Sequence, residues 1–147
     1  MKRLLLVLMT FTLAQPAFAG PFTNKLSICL VKQTNPADKE LLIQWVFAAM
    51  ASHPNVKHLS NVNQQQGEEL NRKAANLFTD LVANRCKQET QEAIKYENEL
   101  ALRASFETLG KVAMQGIMSN PSVNGYMGGL QKYFDIDKLN EVFKDQQ

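Results

Sequence analysis

Only two histidines and two cysteines occur in the 147 residues of this chain, and that scarcity excludes most site chemistry at once. A hydrolase of the Ser/His/Asp or Cys/His kind needs an activated nucleophile beside a base. Both imidazoles, His53 and His58, fall in one stretch, ASHPNVKHLS. Pro54 separates them and disfavours helical geometry at His53, so they do not share a helix face as paired metal ligands do. His53 is expected to close a helix, where an imidazole can bond loose carbonyls. The patterns G-x-S-x-G, H-E-x-x-H and G-x-G-x-x-G and the P-loop are missing as well. Neighbouring carboxylates such as Glu97 and Glu99, or Asp135 and Asp137, are two apart and so do not meet on one helix face. The sequence predicts no enzyme, no metal and no cofactor.

Long hydrophobic runs are also missing. The most apolar stretch, Leu4 to Ala14, is about eleven residues, against the roughly twenty that span a bilayer. It follows Lys2 and Arg3 and precedes the small residues Ala17 and Ala19, the arrangement of a secretory signal peptide cleaved after Ala19. A lipoprotein would carry cysteine directly after the cleavage point, but the first cysteine is Cys29. The expected destination is the periplasm, or beyond it by secretion, with no membrane anchor. Without Lys2 and Arg3 the basic residues fall from 16 to 14, equal to the 14 acidic ones. A chain with no net charge and no cluster of Lys or Arg lacks the footprint for nucleic acid or anionic lipid. The remaining residues, 20 to 147, suit one domain with a single core.

What is present is one cysteine pair and strong helical punctuation. An oxidising compartment converts two such thiols to a disulfide, and Cys29 and Cys86 are the only available partners. Their spacing is too long for a C-x-x-C redox motif, and two cysteines are too few for a closed zinc site. Leu26, Cys29 and Leu30 predict a helix over about 24 to 33. Asn35, Pro36 and Asp38 form the strongest helix start in the chain. From Leu41 to Met50 only Gln44 is strongly polar, which predicts that this helix, with Trp45 and Phe47, is the buried centre. A third helix is expected from about Asn63, with Leu70, Ala74, Leu77, Leu81 and Cys86 inside. The segment KQETQEAIKYENE reads as a solvated helix with only Ala93, Ile94 and Tyr96 for a core face. From Leu100 to Met118 apolar spacing returns, and Gly110 and Gly116 suggest close approach of a neighbour or, alternatively, a backbone hinge. Asn120 and Pro121 start a further helix, Gly125, Gly128 and Gly129 weaken it, and a last helix begins at Asp135 or Asp137. The expected fold is an all-α single compact bundle of about five to seven helices with one disulfide.

Methionine and tyrosine supply the one candidate surface. Met114, Met118, Tyr126, Met127 and Tyr133, together with Met50 and Phe106, suit an adaptable apolar binding groove, although methionine at helical spacing more often fills a core. The segments LSICLVKQTNPADKELLIQWVFAAMASHP, AANLFTDLVANRC and FETLGKVAMQGIMSNPSV resemble a family of small exported proteobacterial proteins to which no activity is attached. The resemblance covers nearly all of the chain after residue 19. It implies a periplasmic, helical, cysteine-paired protein and transfers no functional residue. The expected function is contact with another protein, as an inhibitor, immunity factor or chaperone. Carriage of a lipid or other apolar ligand is the alternative, and hydrolysis a more distant third.

Overall fold

Proline stands at the first turn of three helices, where its missing N–H removes no intrahelical bond. The computed structural model describes residues 20 to 144, and the predicted signal segment lies outside them. In chain order the helices are α1 (Pro21–Gln33), α2 (Pro36–Ala51), α3 (Gln64–Asp80), α4 (Lys87–Glu97), α5 (Leu100–Met118), α6 (Pro121–Gly128) and α7 (Ile136–Lys144). Short 3-10 turns cover Lys57–Leu59 and Gly129–Tyr133. Among the described residues there is no strand, so the all-α bundle stands as expected.

The caps explain the boundaries. Asn35 accepts from the Asp38 amide at 2.9 Å while Asp38 accepts from the Asn35 amide at 3.0 Å, a reciprocal capping box. Asn63 and Gln66 repeat that arrangement at the start of α3. Asn120 accepts from the Ser122 amide, and Asp135 from the Lys138 amide. Helix α1 begins three residues before the predicted Asn24, because Pro21 takes the first helical position and its cap comes from elsewhere in the chain. Helix α6 forms in spite of Gly125 and Gly128, so its Asn-Pro start outweighs propensity.

The centre of the bundle is α1, not α2. Leu26 and Leu30 are fully enclosed, and α1 packs against α4, α5 and the end of α3. Small residues on α5 make this approach close: Ala101 and Ser105 are buried, and the Ser105 hydroxyl donates to the Thr23 carbonyl at 3.2 Å. In α2 only Leu42 and Ala51 are buried, and Phe47 is 52% exposed. Trp45 is half-buried, its ring edge-on to Phe78 and its Nε1–H donated to Asn71 at 2.9 Å. Helix α2 contacts α3 and α5 on one side only, so an all-round apolar sequence leaves part of its surface bare. Gly110 and Gly116 are not sites of close approach either. A methyl group at Gly110 would meet nothing within 4 Å, and at Gly116 only the Ile43 Cδ1 at 4.0 Å.

At the end of α3 the ladder widens into a π-helical turn, Leu81–Arg85, closed by Cys86 N–H donating to Leu81 C=O at 2.8 Å. Cys86 then sits beside Cys29 and the two form the expected disulfide, with Cα atoms 5.9 Å apart. The same turn aims Arg85 into a joint. Its guanidinium donates to Asp38 and to Asp80, each at 2.6 Å, and to the Gln33 carbonyl at 2.8 Å. Donation to the Asp38 and Asp80 carboxylates holds the Arg85 pKa above its ordinary value. The end of α1, the start of α2 and the end of α3 are thus fastened together beside the disulfide.

Candidate functional site

Beyond Asn120 the chain changes character. From Pro121 to Lys144 no residue is buried, although the segment is rich in large apolar side chains. Helix α6 touches α5, and its following 3-10 turn folds against it, while α7 makes no substantial packing on any other element. The helix–turn unit encloses an open concavity of about 500 Å³, lined by Tyr126, Met127, Leu130, Lys132 and Tyr133 with Gly125 and Gly129 between them. Both tyrosines are more than four-fifths exposed, so their rings form walls open to solvent. Helix α7 carries Ile136, Leu139, Val142 and Phe143 at helical spacing on one face, and all four are exposed.

Three of the five predicted binding residues therefore meet. Tyr126, Met127 and Tyr133 share the concavity, whereas Met114 and Met118 lie on α5 outside its lining. Met50 is half-exposed on α2. Phe106 does not belong to a groove: it packs on the core and stands edge-on to Phe78. Sequence reasoning missed the apolar face of α7. The spacing Ile136, Leu139, Val142, Phe143 was available as a signal, since that face is apolar and the opposite one charged.

His53 occupies the turn after α2, with its Nδ1 accepting from the Asn55 amide at 3.3 Å, and His58 lies exposed in the 3-10 turn. Asp135 pairs with Lys138 and caps α7. Among the described residues no group of three or more His, Cys, Asp or Glu is placed to hold a metal ion.

A second polar centre was hidden in the run read as a solvated helix. In α4 the inward residues are Thr90, Ala93 and the half-buried Glu97; Ile94 and Tyr96, expected in the core, are exposed. The reason is that α4 crosses α1 near its N-terminus, where unpaired amides demand an acceptor more than an apolar side chain. Glu97 Oε1 accepts from the Phe22 amide at 2.9 Å, and Oε2 from the Thr23 amide at 2.8 Å and the Thr23 hydroxyl at 2.6 Å. Burial pushes the Glu97 pKa up, but the bonds from Thr23 and Phe22 together outweigh it and hold the carboxyl below its usual range. The next residue, Asn98, has φ 64° and ψ −171°, a region that favours glycine.

The chain was compared with family models, curated proteins and solved structures, and none of them matches.

Proposed function

We propose that this is an exported, non-enzymatic helical protein that acts by contact with another protein through its C-terminal segment, in the manner of an inhibitor, immunity factor or chaperone. The observation that carries this reading is the bare apolar surface from Tyr126 to Phe143, in which nine large apolar side chains are each at least 38% exposed. Soluble monomers rarely leave patches larger than a few hundred Å² uncovered unless they serve a contact. Aromatic and methionine side chains are those enriched at protein interfaces. A lipid surface is a poorer fit, because α7 balances Asp137 and Glu141 against Lys138 and Lys144, and membrane-surface helices are rich in Lys and Arg. No described helix is long and apolar enough to cross a membrane. Export fits the Cys29–Cys86 disulfide, which is compatible with an oxidising compartment.

A carrier of an apolar ligand is the second reading, favoured by the concavity, whose volume lies within the usual 300–1,000 Å³ of ligand pockets. Such pockets bury most of a ligand, and walls as exposed as Tyr126 and Tyr133 do not. Native mass spectrometry of the protein purified from its own periplasm separates the two. A protein complex that is lost in a Tyr126→Ser, Tyr133→Ser variant supports the proposal. A bound small molecule on an otherwise lone chain supports the carrier and defeats it.

A further inference from the structure

We infer that the Glu97 carboxylate is the receptor for this chain's own N-terminal ammonium group, the one released on Gly20 when residues 1 to 19 are removed. The inference rests on the export reading with cleavage after Ala19, and is independent of the protein-contact reading.

Three observations carry it. First, Glu97 occupies the place of a missing cap. The residue before α1 is Gly20, which has no side chain to bond the first amides, and Glu97 reaches across from α4 to bond those of Phe22 and Thr23. Second, the carboxylate is packed against Gly20 itself. A methyl group built on Gly20 would collide with Oε1, Cδ and Oε2 of Glu97. The nitrogen of residue 20 is bonded to the same Cα, so covalent geometry alone places it within about 5 Å of Oε1. An opposite charge at such range stabilises both ionised groups. Third, one acceptor position is left. An ionised carboxylate offers about four lone-pair sites, and three are taken by the two amides and the Thr23 hydroxyl. Oε1, the oxygen with a single donor among the described residues, is also one that faces Gly20. No Lys or Arg pairs with Glu97 among the described residues.

Processing supplies the missing cation. Hydrolysis of the Ala19–Gly20 amide adds one water, leaving a carboxylate on Ala19 and, after proton uptake by the freed amine, an ammonium on Gly20. Before that step the nitrogen of residue 20 is a neutral amide. The ion pair, and with it the complete cap of the central helix, therefore arises only in the processed chain. The same contact accounts for glycine at position 20, since any side chain there would displace the carboxylate.

The test uses the whole processed chain, 20 to 147, with its disulfide. Sequencing the N-terminus of the exported protein is expected to return Gly20, and another first residue would overturn the inference through its export half. Thermal melts are then compared for the free amine and the Nα-acetylated amine, each with Glu97 and with Glu97→Gln. Acetylation is expected to lower Tm by about 2–4 °C with Glu97 in place and to leave the Glu97→Gln form unchanged. Equal shifts in both backgrounds, or no shift in either, would overturn the ion pair. Should Glu97→Gln fail to fold, acylation kinetics decide on the unmodified protein alone. The Gly20 amine should react at least tenfold more slowly than the same amine in a peptide of residues 20 to 26, and equal rates would overturn the inference.

Discussion

Glu97 is the side chain on which the N-terminal half turns, and its titration gives a signed expectation. Its pKa is depressed in the folded state, so it contributes stability above its unfolded value of 4.5 and loses it as pH falls through the folded value. The Tm difference between the natural chain and Glu97→Gln should be wide at neutral pH and narrow steadily below about pH 4.5. A constant difference across that range would mean that shape, not charge, is what Glu97 provides. Asn98 stands next to it with a backbone that costs non-glycine residues about 1–3 kcal/mol. Asn98→Gly removes that strain but also the bond that the Leu100 amide donates to Oδ1. A net gain of about 1 kcal/mol in denaturant unfolding is expected. None of this was visible in KQETQEAIKYENE, because charge runs on surface helices look alike. The one available hint lay elsewhere: Pro21 starts a helix after a residue with no capping side chain, so the cap has to come from a distant residue.

Helix starts were legible where side chain and backbone answer each other locally. Asn35 with Asp38, Asn63 with Gln66, and Asn120 with Pro121 need only a few neighbouring residues, and each stands where the sequence puts it. Packing order was not legible, because it depends on which helices have neighbours on both sides. The all-apolar α2 became a flank, while α1, with its polar Thr23 and Ser27, became the centre, since Thr23 donates to Glu97 and its carbonyl accepts from both Ser27 and Ser105. The cysteine pair was legible by elimination, and it ties α1 to the π-helical turn across a separation of 57 residues. Replacing both cysteines with serine should cost about 4 kcal/mol in unfolding experiments, from the freedom returned to the unfolded chain. Partner binding should survive at low temperature, because the disulfide lies in the body and the bare apolar surface lies beyond Asn120. Loss of binding by a folded double variant would place the contact surface on the body instead.

At the scale of the whole molecule the chain divides into a fastened body and a bare extension. Core leucines, disulfide, Arg85 joint and Glu97 cap all lie before Asn120, whereas from Tyr126 to Phe143 none of the large apolar side chains is buried. Fold class followed from periodicity and caps, and Tyr126, Met127 and Tyr133 could be named as candidates from residue type alone. Which of the five would meet could not, because residue type alone does not separate Met114 and Met118, which lie on α5 outside the concavity, from the three that line it. The most direct measurement is site-specific photocrosslinking in living cells. A crosslinker is placed in turn at Tyr126, Tyr133 and Phe143, and for comparison at Lys73 and Lys111, exposed residues of α3 and α5. The account predicts adducts to one partner protein from the three C-terminal positions and none from the two body positions. Adducts confined to the body, or none from any C-terminal position, would contradict it.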